Sequence, residues 1–114
     1  MDTVAYKDAL GRALAQLAMP YSEQVASVPD YVEAASDFAS EFAEVRHLAL
    51  QLYRSRSVSR RFTELVAHIH ELLDLIQRNH SDLWTNKALR SDQRWALVRE
   101  LASIALSELD DTIE

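Results

Sequence analysis

A shortage of turn-forming residues is the strongest constraint on this sequence. Its 114 residues include one glycine, Gly11, and two prolines, Pro20 and Pro29. A sandwich or barrel of many short strands needs turn residues at each of its many connections, so these folds are excluded. Ala, Leu, Glu, Gln and Arg, which all favour helices, are abundant instead. The composition therefore predicts an all-α chain, and the length predicts a single helical domain over residues 1–114.

The spacing of the apolar residues predicts where the helices lie. The first helix ends at Met19-Pro20, because a proline pushes the preceding residue out of the helical region. After Pro29 the apolar residues follow one another at spacings of four and three, which is the pattern of a helix that buries one side. They are Tyr31, Ala35, Phe38, Phe42, Val45, Ala49 and Leu52. We expect one long second helix there, from Pro29 to about Ser55.

An arginine-rich segment, residues 54–61, interrupts this apolar pattern. It contains neither Gly nor Pro, so it is compatible with a turn and also with a continuous helix. Ser57 or Ser59 can cap a third helix that follows it. A short extra helix is expected around Leu83 and Trp84. The predicted architecture is an antiparallel four-helix bundle-like domain with this short helix added.

The last helix has more apolar surface than one neighbouring helix can cover. Ser91 is the expected N-terminal cap, and the apolar side extends over about 200° of the helix circumference, about twice the stripe that a surface helix needs. Leu97 and Ile104 widen it on one side, and with Leu101 they form its surplus apolar edge. Such a helix needs a second covering, which is either another helix of this chain or a second chain. We therefore expect a homodimer.

The chain offers little that could support catalysis or bind a cofactor. The absence of Cys excludes disulfides, zinc–thiolate sites and cysteine nucleophiles. Glu44 and His47 form a Glu-x-x-His motif as in di-iron carboxylate proteins, but that site needs two such motifs and two further carboxylates. His68 and His70, two residues apart on a helix, point in opposite directions and cannot bind one ion together. We expect no metal, no cofactor and no enzymatic activity.

One short motif suggests an alternative with catalytic activity. Arg61 and His68 have six residues between them and lie two helical turns apart. This spacing resembles the Arg-x(4–6)-His signature of HEPN-type ribonucleases, which are small, dimeric and all-helical. The resemblance implies that Arg61 would stabilise phosphate charge and that His68 would act as general acid or base. It covers eight residues of 114, and Phe62 stands where that family usually has a polar residue.

The charges are distributed unevenly along the chain. The net charge of −6 disfavours nucleic acid as a partner, although a basic cluster is present at Arg54, Arg56, Arg60 and Arg61. From Glu23 to Glu44 there are six acidic residues and no Lys or Arg. Like charges spaced four apart on a helix repel each other, so the run is either a solvated surface or a face for a basic partner. Its members on one side of the second helix are Asp30, Glu33, Asp37, Glu41 and Glu44.

These features together favour a non-enzymatic protein–protein interaction module that binds and masks a partner protein. The expected contact residues are Leu97, Leu101 and Ile104, or alternatively Tyr31, Phe38 and Phe42, with the acidic residues steering a basic partner. In size, charge and helicity the chain is similar to anti-activators that mask the dimerisation surface of a transcription activator. It is also similar to helical secretion chaperones, and a structural subunit of a phage or secretion assembly is a further alternative. Neither a signal peptide nor a membrane segment is visible, so we expect a cytoplasmic protein.

Overall fold

The regular structure of the chain is helical. The computed structural model describes residues 3–28, 34–79 and 85–111. Over these residues it contains seven α-helices and no strand, which confirms the all-α prediction. The predicted short helix around Leu83 and Trp84 lies outside the described residues. The helices are α1 (Thr3–Ala18), α2 (Tyr21–Ala26), α3 (Ala34–Val45), α4 (Leu48–Arg54), α5 (Arg60–Asn79), α6 (Asn86–Ser91) and α7 (Gln93–Asp111).

The last helix, α7, lies between α1 and α5 and runs antiparallel to both. Arg99, in the first half of α7, donates a hydrogen bond to the carbonyl of Met19 just beyond the end of α1. Glu108, near the end of α7, lies beside Arg61 at the start of α5. The buried residues of α7 repeat at spacings of three and four, which suits a helix that packs into two neighbours. They are Trp95, Val98, Ala102, Ala105 and Leu109.

The prediction of one long second helix is wrong. The described part of that segment consists of α3 and α4, which separate at Arg46 and His47. At this point the N–H of Ala49 donates to the carbonyl of Arg46, three residues back, in a tight turn. The change of direction allows α3 to pack on α1 while α4 contacts both α1 and α5. Apolar spacing could not reveal the break, because Phe42 before the bend and Ala49 after it are both buried.

The arginine-rich segment is a turn and not part of a continuous helix. Helix α4 ends at Arg54, and Arg56 adopts a left-handed conformation with φ of 62°. The N–H of Ser57 donates to the carbonyl of Leu52 at 2.8 Å, and the N–H of Arg56 donates to that of Tyr53 at 2.9 Å. This is a Schellman motif, which usually has glycine at the left-handed position. Here an arginine occupies that position, at a cost of about 1 kcal/mol.

Side-chain caps fix where the last two long helices begin. The hydroxyl of Ser59 accepts a hydrogen bond from the N–H of Phe62 at 3.1 Å, so Ser59 rather than Ser57 caps α5. The prediction that Ser91 caps α7 is wrong, because Ser91 is the last residue of α6. The cap is Asp92, whose carboxylate accepts from the N–H of Arg94 at 2.8 Å. An ionised carboxylate at that position also interacts favourably with the positive end of the helix dipole.

Candidate functional site: interaction surfaces

One of the two predicted sets of contact residues lies inside the molecule. Phe38 and Phe42 are 1% and 0% exposed and belong to the hydrophobic core where α3 packs on α1. The expectation that they contact a partner is therefore wrong, since a partner could reach them only if the core opened. Tyr31, the third member of the set, lies outside the described residues. Regular apolar spacing predicts which side of a helix is buried, but not by which neighbour.

The other predicted set lies at the edge of α7. Helices α1 and α5 of the same chain cover most of the wide apolar side of α7. Leu101 and Ile104 are half-buried by this packing, while Leu97 remains 39% exposed. The second covering that the sequence required is thus supplied largely by the chain itself. What stays uncovered is a strip along the side of α7 that faces α5.

Helix α5 adds leucines to this strip. The ion pair between Arg61 Nε and Glu108, 3.8 Å long, shows the register of the two antiparallel helices. One turn further along α5 comes Leu65, and one turn back along α7 comes Ile104, so the two side chains belong to the same part of the surface. We call the resulting apolar surface the α5–α7 patch. It consists of Leu65, Leu72, Leu75, Leu97, Leu101 and Ile104, of which Leu75 is 40% exposed.

Ion pairs lie at both ends of the α5–α7 patch. The Arg61–Glu108 pair is at the end where α5 begins, and Asp92 and Arg94, 3.1 Å apart, are at the end where α7 begins. An apolar centre with a polar, solvent-accessible rim is the usual composition of a protein–protein interface. Exposed leucines scattered singly would need no such explanation.

The acidic residues of α3 form a second surface. Asp37, Glu41 and Glu44 are exposed and lie along one side of the helix, and none forms an ion pair with another described residue. Arg12 of α1 lines a groove together with Glu41 and Glu44, so it offsets part of their charge. We call these three acids the acidic stripe, and it remains net negative. The other two predicted members, Asp30 and Glu33, lie outside the described residues.

Of the residues considered for chemistry, Arg61 and His68 share one side of a helix, whereas Glu44 and His47 do not. Arg61 and His68 are exposed on the same side of α5, but the carboxylate of Glu108 lies 3.8 Å from Arg61 and would compete with a bound phosphate. Glu44 faces the groove beside α1, whereas His47 lines a groove between α4 and α5. Among the residues that the structure describes, no group of three or more His, Asp or Glu is placed to hold a metal ion.

The structure contains a buried polar cluster that the sequence did not indicate. Gln24 of α2 is 1% exposed, and its side-chain N–H groups donate to the carbonyls of Gln16 and Leu17 at 2.9 and 3.2 Å. These carbonyls belong to the last turn of α1, where backbone acceptors lack helical partners. The side-chain oxygen of Gln24 accepts from Arg99 at 3.0 Å. Gln24 therefore fastens the short helix α2 to the end of α1.

Arg99 completes this cluster. Its Nε donates to the carbonyl of Met19 at 3.0 Å, and its Nη2 donates to the carbonyl of Leu89 at 3.1 Å as well as to Gln24. Burial lowers the pKa of the Arg99 guanidinium below its usual value. The side chain thus joins α7 to α2, to α6 and to the end of α1. No sequence signal could have indicated this cluster, because most of the acceptors are backbone carbonyls that every residue possesses.

A scan against models of known protein families and searches of characterised proteins and of solved structures found no match to this chain. Over the described residues, no helix is long and apolar enough to cross a membrane.

Proposed function

We propose that this chain is a non-enzymatic protein-interaction module. It forms a homodimer through the α5–α7 patch and binds a partner protein with a basic surface through the acidic stripe. The observation that carries the proposal is the exposure of Leu75 and Leu97 beside half-buried apolar side chains of α5 and α7, between two ion pairs. The function is that of a regulator that covers a surface of its partner.

The α5–α7 patch suits pairing with a second copy of itself. Two antiparallel helix pairs can pack face to face about a two-fold axis, so that the same residues meet from both sides. Burial of the exposed parts of Leu75 and Leu97 would stabilise the dimer by about 1–2 kcal/mol for each side chain. A chain of this size gains from such an interface, because it buries a smaller fraction of its surface than a larger domain does.

The acidic stripe is a separate surface on α3. Three exposed carboxylates on one side of a helix produce a local negative potential that attracts and orients a basic protein. The groove beside them contains the apolar side chains of Ala9 and Val45, which supply contact area in addition to charge. Acids without ionic partners slightly destabilise the isolated helix, so a binding role accounts for their arrangement.

Replacing Leu97 by glutamate is expected to dissociate the dimer without unfolding the chain. A carboxylate within the α5–α7 patch would be desolvated in the dimer, which raises the dimer dissociation constant by about a hundredfold or more. Sedimentation velocity over a range of concentrations measures the effect. Val4→Glu is the matched control, because Val4 is 70% exposed on α1 and lies outside the patch. A wild-type protein that stays monomeric at high concentration, or a dimer that Leu97→Glu leaves intact, contradicts this assignment.

Reversing two charges of the acidic stripe is expected to weaken binding to a basic probe. The probe is a labelled helical peptide of about 16 residues that carries leucines on one side and arginines on the other. We expect the double variant Glu41→Lys/Glu44→Lys to raise the Kd by about tenfold at low salt, and the difference to shrink as salt is added. Fluorescence anisotropy measures both quantities.

The control for this experiment is a double variant with the same change in net charge. Glu71→Lys/Glu100→Lys reverses two exposed acids on α5 and α7, away from the acidic stripe. A local binding site predicts that this variant retains nearly the wild-type Kd. An equal loss of affinity in both double variants would show that only net charge matters, and the acidic stripe would then not be a binding surface.

A further inference from the structure

One segment of this acidic protein carries positive charge only. Residues 45–63 contain five arginines and no acidic residue, so all eighteen Asp and Glu residues lie elsewhere in the chain. In the structure the segment runs from the last residue of α3 through α4 and the turn after it to the start of α5. Its charge is therefore presented on one part of the surface and is opposite in sign to that of the molecule as a whole.

Three of these arginines are exposed and have no ionic partner among the described residues. Arg60 pairs with Glu64 at 3.4 Å and Arg61 with Glu108 at 3.8 Å, which leaves Arg46, Arg54 and Arg56. A cation at the end of a helix interacts favourably with the helix dipole, which accounts for Arg54 at the end of α4. Arg46 lies between the end of α3, where a cation is favourable, and the start of α4, where it is unfavourable, so the two dipoles oppose each other there.

Two large exposed side chains lie between these arginines. Leu50 is 50% exposed and Tyr53 is 41% exposed. Together with Arg46 and Arg54 they follow one another at spacings of four, three and one, so they occupy one side of α4. We call this surface the basic face, and it consists of Arg46, Leu50, Tyr53, Arg54 and Arg56. It combines unpaired positive charge with exposed apolar area.

A groove between α4 and α5 adjoins the basic face. Its volume is about 320 Å³, and its apolar lining includes Ala49, Val66 and Ala67 as well as Leu50. The polar groups around it are Arg46, His47, Thr63 and His70, and no carboxylate is among the lining residues. A groove of this volume accommodates an apolar side chain, and the groups around it favour a neighbouring negative charge.

We infer that the basic face and the adjoining groove bind an acidic amphipathic helix of a partner protein. Its apolar side chains would enter the groove and pack on Leu50 and Tyr53, while its carboxylates would meet Arg46, Arg54 and Arg56. Arginine suits this role because the guanidinium can donate two parallel hydrogen bonds to one carboxylate. This surface differs from those of the proposed function in position and in the sign of its charge, and it does not depend on dimerisation.

The surroundings of the basic face favour a peptide over a nucleic acid. A nucleic acid has evenly spaced phosphates, and its binding normally requires positive charge along an extended surface. Here the positive surface is short, because exposed acids follow and precede it in the chain. They are Glu64 and Glu71 on α5 and Glu44 before Arg46. Binding of phosphates would also make no use of the apolar groove, whereas a leucine of an amphipathic helix can fill it.

The test uses a labelled peptide of about 16 residues with leucines at helical spacing and glutamates on both sides of them. We expect it to bind the wild-type protein, and we expect the double variant Arg46→Glu/Arg54→Glu to raise the Kd by about tenfold or more. Leu50→Asn, which changes no charge, should also weaken binding. Fluorescence anisotropy measures the Kd, and circular dichroism verifies that each variant is folded.

Two controls separate the basic face from general electrostatic attraction. The variant Lys87→Glu/Arg90→Glu reverses two exposed cations on α6 and should leave the Kd unchanged. A peptide with glutamine in place of glutamate should bind at least tenfold more weakly than the acidic peptide. The inference is overturned if the acidic peptide does not bind, or if the α6 variant reduces affinity as much as the double arginine variant. It is also overturned if a single-stranded RNA binds the basic face more tightly than the peptide does.

Discussion

The variant Phe42→Ala is expected to lower the free energy of unfolding by about 3–5 kcal/mol, which is the usual cost of removing a buried aromatic ring. Phe42 is 0% exposed in the core between α3 and α1, so its loss leaves a cavity that the neighbouring helices can fill only in part. Urea unfolding followed by circular dichroism measures the change. For a domain of this size, such a loss is a large share of the total stability.

Tyr53→Ala is the control for this experiment. It also removes an aromatic ring, but from an exposed position on α4, and it should change the stability by less than about 1 kcal/mol. The outcome distinguishes a core residue from a contact residue. If Phe42→Ala kept the wild-type stability and lost only partner binding, Phe42 would be a contact residue, and the core packing described for α3 would be incorrect.

Replacement of Arg99 by methionine is expected to destabilise the protein by about 2–3 kcal/mol. The change removes the donors for the carbonyls of Met19 and Leu89 and for the side chain of Gln24. A hydrogen bond from a charged group contributes about 1.5–3 kcal/mol, but methionine retains some of the packing and water can reach part of the site. We also expect α2 to exchange its amide hydrogens faster, because its attachment to α7 is lost.

Arg94→Met on the same helix is the control. Arg94 pairs with Asp92 alone, and its side chain is 42% exposed, so its loss should cost less than about 1 kcal/mol. Arg99→Lys provides a second comparison, since one ammonium group cannot reproduce the fork of the guanidinium and should recover the stability only in part. Equal stabilities of Arg99→Met and the wild type would show that the buried cluster does not hold the helices together.

The composition and the local patterns were enough for the fold class and for several boundaries. One Gly and two Pro in 114 residues imply helices, and the structure contains no strand over the described residues. Pro20 separates α1 from α2, and Ser59 caps α5. These features could be predicted because they depend on residues that are neighbours in the chain. A proline restricts the residue before it, and a capping hydroxyl reaches only two or three residues ahead.

The candidate surfaces were only partly predictable. The acidic run and the arginine cluster are visible in the sequence, because charged side chains are seldom buried and so lie on the surface in almost any fold. For an apolar residue, the sequence does not show whether another helix of the chain covers it or whether it stays at the surface. Leu97 and Phe42 both fit helical patterns, yet one is at the surface and the other is in the core.

Composition, charge distribution and apolar spacing are enough to predict that this protein is helical, where its charges are segregated and which side of each helix is buried. The tertiary structure alone decided that the second apolar helix breaks at Arg46 and His47, and that α1 and α5 cover most of the wide side of α7. It alone brought Gln24 and Arg99 together, 75 residues apart in the chain. The physical reason is that helix formation and capping depend on local backbone contacts. The covering of an apolar side chain depends instead on which distant helix packs against it, and several arrangements satisfy the same pattern.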